Sequence, residues 1–116
     1  MLKRILAVAA TLAVLVATPA AAQEKARIEW KTFHSKAIEG NLEGNSAERG
    51  AFVVTPPGYD ENAEKRYPVV YFLHGYWATP QMYQEGMKFD EAVDQAAKAG
   101  NEVIMVIPAG HSKLKG

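Results

Sequence analysis

A run of five apolar residues, 69–73, constrains the fold of this chain more than any other feature. The run mixes β-branched, aromatic and aliphatic side chains and is too short for a helix. It therefore predicts a strand that is buried on both faces, as in the middle of a parallel sheet. His74 and Gly75 end the run, and glycine allows both a sharp turn and a close approach of the backbone to a ligand. Doubly wound sheets form binding sites in this way, at the carboxyl ends of their strands.

The residues before this run predict two further strands. Residues 28–33 alternate apolar and charged side chains, as in a half-exposed strand, and residues 34–38 are expected to continue it. Residues 39–48 are rich in glycine and asparagine and predict a loop. Residues 49–55 predict a second strand, which we place antiparallel to the first at one end of the sheet.

The residues after the run predict a helical crossover and a parallel strand. Pro80 suits the first turn of a short helix. Residues 89–99 place their apolar side chains on one helix face, and Gly100 follows where helices commonly end. Residues 102–107 are strongly apolar and predict a fourth strand. Strand, helix and strand then form a right-handed βαβ unit, so the predicted fold class is α/β.

The first 22 residues are typical of a Sec-type secretory signal peptide. Lys3 and Arg4 form its positive end, residues 5–16 its uncharged apolar stretch, and residues 20–22 an Ala-x-Ala cleavage site. A membrane anchor is the alternative, since no residue from 5 to 22 is charged. Cleavage would leave a mature chain, residues 23–116, in the periplasm or outside the cell.

Composition and charge argue against several kinds of partner. The chain contains no cysteine, which rules out disulfides and a lipid attached to cysteine. It has no basic stripe interleaved with aromatic residues, so we expect no nucleic acid partner. Its three histidines, His34, His74 and His111, lie far apart without the paired spacing of metal ligands, so we expect no metal site.

Two motifs carry a resemblance to a known family. Arg66-Tyr-Pro-Val-Val-Tyr-Phe-Leu-His-Gly75, preceded by Thr55-Pro-Pro-Gly-Tyr59, resembles the secreted putative-esterase (esterase D-like) branch of the α/β-hydrolase superfamily. That branch includes feruloyl and acetyl esterases, enterochelin esterases and mycolyltransferases. The resemblance covers about residues 33–110. It implies that residues 23–116 are the N-terminal portion of an α/β-hydrolase domain, in which an antiparallel strand pair leads into a βαβ unit of a mostly parallel sheet.

The same resemblance implies a function. The chain would be part of an exported serine esterase, a carboxylic ester hydrolase that acts on small-molecule or polysaccharide esters, siderophore esters included. The chemistry of the family needs no cofactor. No nucleic acid and, after signal cleavage, no membrane is expected as a partner.

Ester hydrolysis on this fold requires a serine in Gly-x-Ser-x-Gly, then an acid and a histidine, and an oxyanion donor from the loop after the third strand. The resemblance implies that residues 74–77 are this loop, that the backbone N–H of Tyr76 is the donor, and that Gly75, Tyr76 and Trp77 border the substrate. The alternative for the rings of Tyr76 and Trp77 is that they pack over the end of the sheet. His74 is expected to hydrogen-bond locally rather than to act as the catalytic base.

No serine of the mature chain stands in the sequence context of a nucleophile. Ser35 lies beside an early strand without an elbow, Ser46 lacks the closing glycine, and after Ser112 that glycine is replaced by Leu114. We therefore expect a chain that is truncated before the nucleophile and carries the oxyanion half of the site without the triad. Two alternatives stay open: a non-catalytic secreted glycan-binding module that uses Tyr76 and Trp77 as a stacking platform, and an inactive truncated remnant.

Overall fold

The computed structural model describes residues 24–113, so the predicted signal peptide, residues 1–22, lies outside the described residues. The helices and strands in chain order are β1 (Arg27–His34), a 3-10 helix (Lys36–Ile38), β2 (Glu48–Thr55), β3 (Val69–Tyr71), α1 (Pro80–Met87), α2 (Phe89–Lys98) and β4 (Ile104–Pro108). No helix within the described residues is long and apolar enough to cross a membrane.

The strands form one mixed sheet in the order β1-β2-β4-β3. β1 pairs antiparallel with β2, and Trp30 lies opposite Phe52. β2 pairs antiparallel with β4, whereas β3 and β4 are parallel, with Val70 opposite Met105. The predicted antiparallel pair and the predicted parallel strands on either side of a helical crossover are therefore confirmed, and the fold is α/β.

Helix α2 covers one face of the sheet and forms the core with it. Val54, Phe89, Val93 and Ile107 are buried together, so that two positions of α2 contact one position each of β2 and β4. Asp90 and Glu91 in the first turn and Lys98 in the last turn complement the helix dipole. Gly100 has a φ of +80°, as expected for the residue after a helix.

The prediction that residues 69–73 are buried on both faces is wrong for the described part of the chain. β3 is the edge strand of the described sheet and has one neighbouring strand, β4. Val69, Val70, Tyr71 and Leu73 are 46%, 42%, 67% and 74% exposed, so neither face of this strand is fully covered within the described residues. On the face towards α2, the ring of Phe72 lies 4.9 Å from the ring of Phe89.

The prediction that residues 34–38 continue β1 is correct for His34, where β1 ends, and wrong for the residues after it. The N–H of Ser35 donates to the carbonyl of Ala47 at 2.8 Å, and the N–H of Ile38 donates back to the carbonyl of Ser35 at 3.2 Å. This second bond makes the chain turn into the 3-10 helix instead of extending the ladder. The β1–β2 loop begins at this point.

His34 joins the two ends of the β1–β2 loop. Its Nδ1 lies 2.5 Å from a carboxylate oxygen of Glu48, and its Nε2 contacts the carboxylate of Glu39. The bond to Glu39 and then the bond to Glu48 raise the pKa of His34 above its ordinary value of 6.5. The folded chain therefore holds the imidazolium form more tightly than the unfolded chain does.

We call the bonds of His34 to Glu39 and Glu48 the His34 clamp, and we expect it to make the free energy of unfolding fall as the pH rises. A raised folded pKa contributes stability that is fully present below pH 6.5 and is lost as the pH rises through the folded pKa. Urea unfolding of the protein at a series of pH values should show this loss, and His34→Gln should flatten it. Glu39→Gln, which removes the larger cause, should flatten it in part. An unchanged slope in both variants would contradict the His34 clamp.

Trp30 lies across the backbone of Gly50. A Cβ atom at Gly50 would lie 2.0 Å from Cζ2 of Trp30, which leaves room for glycine alone. Phe52 holds the indole in place by an edge contact, with ring centroids 4.9 Å apart. The position of the Trp30 ring over β2 therefore requires glycine at residue 50.

Gly50→Ala should lower the free energy of unfolding by about 1–3 kcal/mol, because Trp30 must leave its contact with Phe52. Gly86→Ala is the matched control, since a Cβ at Gly86 in α1 meets nothing within 4 Å; it should stabilise by about 0.5–1 kcal/mol through helix propensity. Urea unfolding measures both variants. In a Trp30→Ala background most of the Gly50→Ala effect should disappear, and a full effect there would show that the indole is not the cause.

Candidate active site

The parallel pairing of β3 and β4 brings two loops together at the carboxyl edge of the sheet. Residues 74–79 follow β3 and residues 109–113 follow β4. A shallow depression of about 280 Å³ lies between them and is lined by Leu73, His74, Gly75, Tyr76, Pro108 and Gly110. The depression thus lies where the parallel strands end, which is the position expected for a binding site.

His74 connects these two loops through both ring nitrogens. The N–H of Gly110 lies 2.9 Å from Nε2, and because an amide can only donate here, Nε2 accepts. Nδ1 therefore carries the ring proton and donates to the carbonyl of Gly75 at 2.9 Å. Backbone groups thus engage both ring nitrogens of His74, one through a local bond to the next residue and the other through a bond to the loop after β4, 36 residues later.

The loop after β3 is fixed between the sheet and α1. The carbonyl of Gly75 also accepts the N–H of Ala78 at 3.1 Å, which closes a turn. Thr79 then caps α1, its hydroxyl accepting the N–H of Met82 at 3.2 Å, and Pro80 occupies the first turn. A Cβ at Gly75 would lie 3.3 Å from the hydroxyl of Tyr83, so that a larger residue would crowd α1.

Tyr76 and Trp77 stand at the outer side of this loop. Their rings meet edge to face with centroids 4.9 Å apart. Tyr76 is 63% and Trp77 76% exposed, so most of both rings faces solvent rather than the end of the described sheet.

The described serines lie away from a nucleophile elbow. Ser46 accepts the N–H of Glu48 with its hydroxyl at 3.1 Å, and Ser112 donates its hydroxyl to the carboxylate of Glu43 at 2.7 Å. Ser35 precedes the 3-10 helix, which is only three residues long. Among residues 24–113, no group of three or more histidines and carboxylates is arranged to hold a metal ion.

Sequence reasoning missed the contacts that hold the loop after β4. Arg49 donates from Nη2 to the carbonyls of Ala109 at 2.7 Å and His111 at 3.1 Å. The side-chain oxygen of Asn45 accepts the N–H of Lys113 at 2.6 Å. These partners are separated by 60 residues or more, so no local pattern points to them.

Together, the mixed α/β sheet, the glycine loop at the carboxyl end of β3 and the helix that follows this loop define a fold of the α/β-hydrolase type. The particular family follows from the sequence. A family model described as "Putative esterase" matches residues 43–115, which is more than half of the chain. The chain therefore belongs to the putative esterase family.

Solved structures agree with this assignment. A ferulic acid esterase is 28% identical, with a TM-score of 0.62 over 74% of this chain and 31% of that one. The ferulic acid esterase of the anaerobic fungus Anaeromyces mucronatus is 32% identical, with a TM-score of 0.57 over 79% of this chain and 32% of that one. A mutant feruloyl esterase module from Clostridium thermocellum, complexed with sinapinate, is 24% identical with a TM-score of 0.58 over 76% and 28% and supports the fold alone.

The chain spans about a third of the length of the solved structures that it matches. A comparison with curated proteins gave no match.

Proposed function

We propose that this chain is part of an exported serine esterase, a carboxylic ester hydrolase, and that residues 74–77 form its oxyanion-hole loop. The observation that carries the proposal is the position of Gly75 and Tyr76 in a depression at the carboxyl ends of β3 and β4, in a chain of the esterase family. The loop after the third strand supplies an oxyanion donor in α/β-hydrolases.

The loop would act on charge that develops during the reaction. When a serine attacks an ester carbonyl, negative charge forms on the carbonyl oxygen. The backbone N–H of Tyr76 would stabilise this charge, and one such donor is worth about 3–4 kcal/mol in the transition state. The bonds that hold Gly75 in place favour this role, because an oriented donor needs no rearrangement during the reaction.

Gly75, Tyr76 and Trp77 would also border the bound ester. The exposed, edge-to-face rings of Tyr76 and Trp77 suit a flat acyl group or a sugar ring. The matched structures named ferulic acid esterases support an aromatic acyl group. We propose that a polysaccharide or a small molecule carries this group. A siderophore ester is the other member of the substrate class, and no cofactor is required.

We place the serine, the acid and the histidine of the triad outside the 116 residues. None of Ser35, Ser46 and Ser112 stands in a Gly-x-Ser-x-Gly sequence. Reading the coding DNA beyond the Gly116 codon in all frames tests this placement. A strand followed by Gly-x-Ser-x-Gly, then an acid, then a histidine would support it. A stop codon with nothing of the kind beyond it would overturn it and favour an inactive remnant.

We further propose that residues 1–22 direct export and are removed. The mature protein recovered from the periplasm or the medium should begin at Gln23, which N-terminal sequencing would reveal. Retention of the protein in the membrane with its first residues intact would instead support an anchor.

The oxyanion role of Tyr76 can be separated from the role of its ring. In the full-length protein that carries the triad, Tyr76→Pro removes the backbone N–H and should lower kcat on 4-nitrophenyl acetate by about 10²- to 10³-fold. Tyr76→Ala keeps the N–H and removes the ring, so kcat should change little while KM for a feruloylated oligosaccharide rises. Equal losses of kcat in the two variants would contradict a donor role for the backbone.

A glycan-binding module is the second candidate, because Tyr76 and Trp77 present two exposed rings. It would bind oligosaccharides without cleaving any ester. Calorimetric titration of the protein and of Trp77→Ala with an oligosaccharide distinguishes the esterase from the binding module. The module would be favoured if the protein binds the oligosaccharide without hydrolysing an ester and Trp77→Ala no longer binds it.

A further inference from the structure

Arg49 is half-buried on β2 and bonds to the loop after β4 in a way that the sheet itself does not need. The hydrogen bonds between β2 and β4 already extend to this end of the sheet, since the N–H of Ala109 donates to the carbonyl of Gly50 at 2.9 Å. The guanidinium adds two bonds, to the carbonyls of Ala109 at 2.7 Å and His111 at 3.1 Å. Bonds from a guanidinium are charge-assisted and stronger than neutral ones.

The first of these bonds continues into the proposed oxyanion loop. The carbonyl of Ala109 and the N–H of Gly110 belong to one planar, conjugated peptide unit. That N–H donates to Nε2 of His74 at 2.9 Å, and Nδ1 of His74 donates to the carbonyl of Gly75 at 2.9 Å. The carbonyl of Gly75 and the N–H of Tyr76 again belong to one peptide unit.

We propose that Arg49 is a positioning residue that orients and polarises the N–H of Tyr76 through this series of bonds. We call the series the Arg49 relay: Arg49, the Ala109–Gly110 peptide, the His74 ring and the Gly75–Tyr76 peptide. The inference rests on the proposed function, because it assigns a task to the N–H that would face the oxyanion.

All bonds of the Arg49 relay run in the same direction. Each donor acts on a carbonyl oxygen or a ring nitrogen, and the next donor is the N–H group of the same peptide unit or the same ring. A bond to a carbonyl oxygen draws electron density from the amide nitrogen, so the N–H of that amide becomes a stronger donor. Such cooperativity strengthens each bond by about 10–30%. A full positive charge thus lies at one end of the series, and the developing negative charge would lie at the other.

Asn45 provides a matched control from the same loop. Its side-chain oxygen accepts the N–H of Lys113 at 2.6 Å, so it also holds the segment after β4. It makes no bond to the Ala109–Gly110 peptide, because its partner lies three residues further along the chain. If Arg49 only fastened this segment, removing the Asn45 side chain should have the same effect.

The test compares Arg49→Met with Asn45→Ala in the intact protein. Arg49→Met should move the amide proton of Tyr76 and the ring ¹⁵N signals of His74 in NMR spectra. It should lower kcat on 4-nitrophenyl acetate by about three- to tenfold with KM unchanged, well below the 10²–10³ that loss of a donor costs. Asn45→Ala should change neither the two sets of signals nor kcat.

His74→Gln tests the second half of the Arg49 relay. Glutamine places a side-chain oxygen near the position of Nε2 and provides no donor at the position of Nδ1. The amide proton of Gly110 should therefore stay close to its original shift, while that of Tyr76 moves and kcat falls. Where Arg49→Met fails to fold, Arg49→Lys keeps one charged donor and should give smaller changes of the same sign.

Unchanged Tyr76 and His74 signals in Arg49→Met would overturn the proposal, as would equal effects of Arg49→Met and Asn45→Ala. Absence of esterase activity in the parent protein would instead count against the proposed function. The NMR comparison would still decide whether the Arg49 relay exists, so the two failures are distinguishable.

Discussion

The parallel pairing of β3 with β4, packed under α2, is the constraint on which the rest of the structure depends. It is held from one side by Phe72, Phe89 and Ile107, which contribute to one apolar core. Because parallel strands end at the same edge, the pairing brings His74 within hydrogen-bond distance of Gly110, 36 residues later in the chain. The candidate site is a consequence of this pairing and of the position of β4 between β2 and β3.

The loop at this edge is held by an apolar side chain in the core and by hydrogen bonds. Phe72 is held in the core, whereas the next few residues are fixed by hydrogen bonds to backbone groups and by the cap of α1. Backbone partners suit a catalytic loop, because peptide groups hold a fixed orientation at no cost in side-chain entropy. The exposed rings of Tyr76 and Trp77 are then carried on a rigid base.

The sequence predicts the local elements well because side-chain periodicity acts over a few residues. The alternation at residues 28–33 and the apolar face of residues 89–99 correspond to β1 and α2. Two predictions fail. The apolar run at β3 lies at an edge of the described sheet, so its burial depends on which strands lie beside it. After Ser35, the bond from the N–H of Ile38 to the carbonyl of Ser35 turns the chain into a 3-10 helix.

What the sequence by itself determined was the class of the protein and the place of its loop. The apolar run that ends in His74 and Gly75, with Thr55-Pro-Pro-Gly-Tyr59 before it, resembles the putative-esterase family. The prolines and glycines of these two motifs also fix where the chain turns. Only the tertiary structure decided that Arg49 reaches the peptide of Ala109 and Gly110, and that His74 donates to Gly75 and accepts from Gly110. The physical reason is that contacts across 36 to 60 residues depend on which loop residues the paired strands bring together, and the spacing of residues along the chain does not specify these partners.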